Sequence, residues 1–279
     1  MYLRTRKDSA TSILLFIFNV FLVEREINTV PLKKIFRLLE PFQKSETSIR
    51  MGLSRGVQNG LLVNEKQGQE VYYRLTDKAV QSFAYWQKTL ARFQKRINKQ
   101  YANWDGFWSI VLLDLSSRNK PADSLEQFTQ SLEQLGYGSL NKGQWISPYN
   151  LSADVIELAD KYVLNKEISI FHGNLQNKKP QNVAYEVWPV QELANKYKKY
   201  ADKMKKSASE LNAAPNSGQI MPFLYLYGSE LFEIIQDDPQ LPMELLPFDW
   251  LVPKVTQAFS EIRKQMLPLA NSFIDEIME

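Results

Sequence analysis

Apolar residues fall into helical spacing almost from the start of the chain. "DSATSILLFIFNVFLVER" predicts a first helix over residues 8–25, capped by Asp8, Ser9 or Thr11 and buried on most sides. Pro31 suits the first turn of a second helix, which carries Leu32, Ile35, Phe36, Leu38 and Leu39 and ends near Glu40 and Pro41. Ser45 then caps a third, in which Ile49, Leu53, Val57 and Leu61 repeat every four residues. In "LLVNEKQGQEVYYRL" the period shortens to two, which predicts two strands around a turn at Gln67 and Gly68. Thr76 and Asp77 open a long helix over 77–100. One face holds Val80, Phe83, Trp86, Leu90, Phe93 and Ile97, and the other holds Lys88, Arg92, Lys95, Arg96 and Lys99.

Strand and helix patterns alternate in the middle of the chain. Strands are expected at 104–115, 143–148 and 167–175, with helices in 121–140, closed by Gly136, and 152–164 between them. This β-α-β-α-β succession predicts a small ferredoxin-like domain. A lysine-rich helical tail follows "KKPQN". A loop at 212–218 and helices at 220–236 and 251–278 complete the chain, the last two separated by the proline-rich "DDPQLPMELLPFDW" with two exposed-looking acids. The fold class is therefore multidomain α+β. It comprises a winged helix-turn-helix at 1–76, a linker or dimerisation helix at 77–103, a ferredoxin-like α+β domain at 104–180 and a helical C-terminal domain at 181–279.

Three helices and a hairpin give the order of a winged helix-turn-helix, and the third helix has an unusual composition for one. It carries Gly52, Gly56 and Gly60 one turn apart, although an interior glycine costs a helix about 1 kcal/mol relative to alanine. They read as sites of close helix approach, with Gly60 also ending the helix in a left-handed conformation. The opposite side offers Thr47, Ser48, Arg50, Met51, Ser54, Arg55 and Gln58. Such a helix can enter the major groove, where Arg bonds guanine and Ser, Thr and Gln reach base edges or phosphates. The hairpin adds Lys66, Gln67, Gln69 and Arg74 for phosphates beside the groove.

Charge strengthens that expectation. Residues 1–103 hold 18 Lys and Arg against 8 Asp and Glu, a net +10, leaving −7 for the remainder of a chain whose net charge is +3. A basic end on an acidic body suits a polyanionic partner. With no cysteine, thiolate metal sites and disulfides are excluded, and the single His172 excludes a multi-histidine site. His172 reads as a satisfied core or edge histidine of an otherwise apolar strand, and the six tryptophans read mainly as core. The apolar run at 13–23 is 11 residues, too short to span a bilayer, and is followed by "EREIN" where a cleavage site wants small residues. A cytoplasmic protein with no membrane partner and no cofactor is expected.

"WDGFWSIVLLDL", "LEQLGYGSLNKGQWISP" and "DDPQLPMELLPFDW", in that order behind "YYRLT", resemble the phenylacetate-degradation repressor (PaaX) family over nearly the whole chain. The resemblance implies a winged helix, a central domain like the CRISPR-associated ferredoxin-fold ribonuclease, and a helical C-terminal domain. It also implies a homodimeric repressor of transcription on a palindromic double-stranded DNA operator. Release would come from a small-molecule effector, an acyl-CoA thioester in the namesake. Gly56 stands where the family's recognition helix usually has leucine, which predicts a looser third helix, and Phe107 stands where it tends to have arginine.

Two rival readings remain. Asp114 ends the first strand of the ferredoxin-like domain, where nucleases of that fold hold a metal-binding aspartate. The alternative is a turn-forming carboxylate before "SSRNK". "GYGSLNKG" lacks P-loop spacing and reads as turn chemistry. A structural protein paired through helix 77–100 is also compatible with the sequence.

Overall fold

The computed structural model describes residues 9–100, 104–116, 122–213 and 217–279. It divides into two compact units. The first holds residues up to Arg92 together with Lys198–Gln236 and Val252–Glu279; the second holds Phe93–Tyr197 and Asp237–Leu251. The side chains of Arg92, Lys95, Arg96, Ile97 and Lys99, expected on the two faces of the long helix, lie outside the described residues, as do residues 214–216 of the expected loop.

In the first unit, α1 (Ala10–Ile17) begins where the Ser9 hydroxyl accepts the amide of Ser12 at 3.1 Å. The expected single helix to residue 25 is instead three pitches in series: α to Ile17, π over Phe18–Leu22 and 3₁₀ over Val23–Arg25, closed by left-handed Glu26. Ile17, Phe18, Phe21 and Leu22 are all fully buried. A segment apolar on every side carries no periodicity that marks a change of pitch. A short strand β1 (Thr29–Pro31) precedes α2 (Leu32–Leu39), so Pro31 is the extended N-cap of α2, with φ −69° and ψ 146°, not a residue of its first turn.

Helix α3 (Glu46–Gln58) starts where the Ser45 hydroxyl accepts the amide of Ser48 at 3.2 Å. It ends in a Schellman turn: the Gly60 amide bonds the Val57 carbonyl and the Leu61 amide bonds the Gly56 carbonyl, both at 2.9 Å, with Gly60 at φ +65°. Gly52 and Gly56 admit α1. A Cβ on Gly52 would lie 2.7 Å from the Ala10 Cβ, and one on Gly56 would lie 2.8 Å from Leu62 and 3.1 Å from the Thr11 methyl. Far from loosening α3, the missing side chain at 56 is replaced by Leu62 and Thr11, and the Thr11 hydroxyl donates to the Gly52 carbonyl. Gly60 has nothing near its Cβ position and serves the turn alone.

Strands β2 (Leu62–Gln67) and β3 (Glu70–Leu75) form the hairpin, and β1 pairs with the free side of β3 to give the order β1-β3-β2. The pairing of Gln67 with Glu70 leaves Gly68 and Gln69 as a two-residue turn, with positive φ at Gly68 alone, the pattern of a type II′ hairpin. Helix α4 (Asp77–Gln100) is capped by Thr76, whose hydroxyl also donates to the Gly60 carbonyl at 2.7 Å. Lys78 takes the Asn59 carbonyl at 2.8 Å, so the end of α3 and the root of the hairpin are tied to α4.

The last helices brace this module. In α9 (Ser217–Asp237), Tyr225 meets Phe16 and Phe42 edge-on, with ring centroids 5.2 and 5.9 Å apart. Phe232 lies 5.2 Å from Trp86. From α10 (Val252–Met278), Asp275 pairs with Arg25 at 2.8 Å, Asn271 accepts from the same guanidinium at 3.0 Å, and the Met278 carbonyl accepts from Lys34 at 2.6 Å.

The second unit contains a four-stranded antiparallel sheet. Its strands are β4 (Trp108–Leu113), β5 (Gly138–Asn141), β6 (Gln144–Ser147) and β7 (Ile168–Gly173), in the spatial order β5-β6-β4-β7. With α5 (Ala122–Leu135) after β4 and α6 (Ser152–Tyr162) after β6, this is the ferredoxin-like β-α-β-β-α-β arrangement. The sequence predicts three strands and a helix closed by Gly136; the glycine ends α5 there, at φ +96°, and the residues after it form the unexpected fourth strand, β5. Val111, Leu113 and Trp145 face Phe128, Leu132, Val155 and Ala159 of the helices. On the other face Trp108 stacks on Trp188 at 6.2 Å. There Gly138 must lack a Cβ, because Val187, at the end of α7 (Pro180–Val187), and Trp188 occupy that space. The proline-rich segment also belongs here. Asp238, expected to be exposed, is 6% accessible and accepts from the Tyr197 hydroxyl at 2.8 Å; burial, and then the adjoining Asp238 carboxylate, hold that phenol well above its ordinary pKa. Tyr197 is the last residue of α8 (Val190–Ala213) in this unit, and from Lys198 the helix belongs to the first.

Gly52→Ala tests the α1–α3 contact. The helix gains roughly 1 kcal/mol in propensity, but overpacking against Ala10 and the Thr11 backbone costs about 1–3 kcal/mol. Thermal denaturation should show a lower Tm; an equal or higher Tm would mean the contact is not tight.

Candidate nucleic-acid interface

The α1 contact decides which side of α3 meets solvent. Ile49, Gly52, Leu53 and Gly56 are buried, while Thr47, Arg50, Met51, Ser54, Arg55 and Gln58 are exposed and Ser48 is half-buried at the border. At about 100° per residue, the exposed six share one arc of the helix. Thr47, Met51, Ser54 and Gln58 form its centre, with Arg50 and Arg55 on opposite rims. The α3 axis is on the order of 20 Å long at 1.5 Å per residue, enough to lie along a major groove.

The two arginines differ in their surroundings. Arg50 stands 4.0 Å from Glu46 one turn before it and lies over the Phe36 ring at 5.1 Å. The pair is exposed, and such contacts contribute about 0–1 kcal/mol, so they orient Arg50 without locking it. The Arg55 side chain has no hydrogen-bond or ion-pair partner among the described residues.

Around the hairpin turn Lys66, Gln67 and Gln69 are exposed together. Arg74 is not with them. It sits at the root of β3, opposite Thr29 and Val63, roughly 13 Å along the strand from Glu70 at about 3.3 Å per residue. Its guanidinium is 3.4 Å from Glu65, the diagonal cross-strand neighbour.

The basic charge of the first hundred residues is not all available to a partner. Arg25, Lys34 and Arg37 are engaged by Asp275, the Met278 carbonyl and Glu276 of α10. On α2 only Lys33 remains exposed without a partner among the described residues. Lys33, in the first turn of α2, and half-buried Lys44, directly before the α3 cap, are further cations of this module that the sequence pattern does not single out. Their position at or before a helix start was the available signal.

The rival sites resolve into local structure. The Asp114 carboxylate accepts from the Ser116 amide at 2.8 Å and hydroxyl at 2.7 Å, a turn whose hydrogen bonds lower its pKa. No group of three or more His, Cys, Asp or Glu suited to a metal occurs among the described residues. His172 is exposed on the edge strand β7, the edge position of the two expected for it, with its ring 5.4 Å from Phe107. In "GYGSLNKG" the glycines serve turns and packing: Gly136 and Gly143 have positive φ and Gly138 admits Trp188. Trp108, Trp145, Trp188 and Trp250 are buried, and Trp86 and Trp104 are half-buried. No described helix is long and apolar enough to cross a membrane.

Such a chain is a multidomain α+β winged-helix protein with a ferredoxin-like second unit. Family models match three consecutive segments: "PaaX-like protein" over residues 9–79, "PaaX protein central Cas2-like domain" over 101–184 and "PaaX-like protein C-terminal domain" over 188–276. Transcriptional repressor PaaX of Escherichia coli (strain K12) is 24% identical over 251 residues, covering 86% of this chain and 75% of its own length. The solved structure of the uncharacterized protein Rv0674 from Mycobacterium tuberculosis matches 95% of this chain and 99% of its own with a TM-score of 0.55 at 20% identity, a likeness of fold. The chain belongs to the PaaX family.

The Arg25–Asp275 contact predicts energetic coupling between winged helix and α10. A double-mutant cycle with Arg25→Ala and Asp275→Ala should return a coupling of about 0.5–1 kcal/mol in chemical denaturation. Strict additivity would show that α10 does not hold these cations.

Proposed function

We propose that this transcriptional regulator of the PaaX family is a homodimeric repressor that binds a palindromic double-stranded DNA operator. An acyl-CoA thioester or similar small molecule releases it. The observation that carries the reading is the solvent-facing arc of α3 beside an open hairpin turn, in a chain related to a transcriptional repressor. In this reading Arg50 and Ser54, with Thr47, Ser48 and Met51, read base edges. Arg55, Gln58, Lys66 and Gln69 hold phosphates, and Arg74 reaches a phosphate only by giving up Glu65. The effector works by binding one spacing of the two winged helices better than the other.

Mutants separate the roles. Arg50→Ala should cost roughly 1–3 kcal/mol and relax preference at one operator position; equal weakening on every sequence would refute base reading. Arg55→Ala should weaken binding to all duplexes and reduce the log–log salt slope by about one unit. An unchanged slope would remove Arg55 from the phosphate contacts. A genome-wide binding assay supplies the operator for both measurements.

A further inference from the structure

We infer that the outer face of α8, from Lys198 onward, is a second phosphate-binding surface for duplex DNA, lying outside the winged helix; the inference rests on the DNA-binding reading above. This part of α8 belongs to the first unit. Its inner row, Tyr200, Met204 and Ala208, is buried. The Tyr200 hydroxyl donates to the Tyr227 carbonyl of α9 at 3.1 Å, and the Tyr227 hydroxyl contacts the Ser207 hydroxyl at 2.7 Å. Lys203 lies over the Tyr227 ring and pairs with Glu230 at 2.6 Å, so this lysine is neutralised within the fold.

The outward row differs. Lys198, Lys199, Lys205 and Lys206 are all exposed, and none has a hydrogen-bond or ion-pair partner among the described residues. Lys198 and Lys205, like Lys199 and Lys206, are seven residues apart. They therefore stack two turns apart along the helix, at about 10 Å. The single acid among them, Asp202, leaves a net charge of +3 on this face. The same α9 that anchors the inner row carries Tyr225 against Phe16 and Phe42, so the lysine row and α3 are parts of one packed body.

The chemistry of the row selects its partner. Four ammonium groups on long flexible stems project from a convex helix with no aromatic ring or guanidinium fork among them. Base edges demand fixed donor geometry, and a small bound anion needs converging donors; a diverging line of point charges offers neither. It does match a repeating polyanion, whose counterions each lysine would displace.

The test uses the full chain and a fluorescein-labelled 40-base-pair duplex of mixed sequence, because the electrostatic contribution needs no operator. Anisotropy titrations across salt concentrations compare the wild type with Lys198→Gln, Lys199→Gln, Lys205→Gln and Lys206→Gln combined. A charge-matched control carries Lys142→Gln, Lys161→Gln, Lys166→Gln and Lys179→Gln, all exposed in the second unit. With circular dichroism and Tm unchanged, the α8 variant should bind at least tenfold more weakly in low salt. Its slope should fall by about two to three units, at roughly 0.9 for each phosphate no longer neutralised, while the control keeps the wild-type slope. Wild-type affinity and slope in the α8 variant would overturn the inference while leaving the winged-helix reading intact. So would an equal loss in the control, which would mean net charge alone, or normal DNA binding with lost binding of coenzyme A. A wild-type chain that binds no duplex at all would overturn the earlier reading, and this one with it.

Discussion

The close approach of α1 to α3 is the constraint from which the candidate interface follows. Two glycines and the threonine hydroxyl on the Gly52 carbonyl bring the helices together where any side chain on α3 would collide. Once that side is buried, the arc from Arg50 to Arg55 has nowhere to point but solvent. The Schellman turn at Gly60 and the Thr76 and Lys78 bonds to its carbonyls then fix where the hairpin leaves the helix. Orientation of the face and placement of the wing thus come from one small patch of packing.

Charge is divided by the fold in a way that composition conceals. The basic first hundred residues suggest one continuous cationic surface, yet α10 ties Arg25 to Asp275 and Asn271 and Lys34 to the Met278 carbonyl. The acidic remainder is equally misleading in bulk. It contains α8, whose outward row is basic, and Asp238, which is buried under Tyr197. What a partner meets is set by which cations the structure leaves unpaired.

Much of the fold was legible because local signals agreed. Ser45 and Thr76 cap where expected, the four-residue repeat in α3 marks its buried stripe, and Gly68 turns the hairpin. The parts that were not legible depend on distant partners. The three residues of β1 become a strand only by pairing with β3, and β5 only by pairing with β6. The π turn at 18–22 hides in a uniformly apolar run. At the site, solvent exposure along α3 could be read from periodicity. The separation of Arg74 from the hairpin turn needed the register, and the capture of Arg25 needed a residue 250 positions away.

Selection from a random-sequence duplex library by the purified chain at moderate salt tests the central claim most directly. The account predicts that bound duplexes converge on a motif of two inverted half-sites about one helical turn or a multiple apart. A bound pool indistinguishable from the input would contradict it.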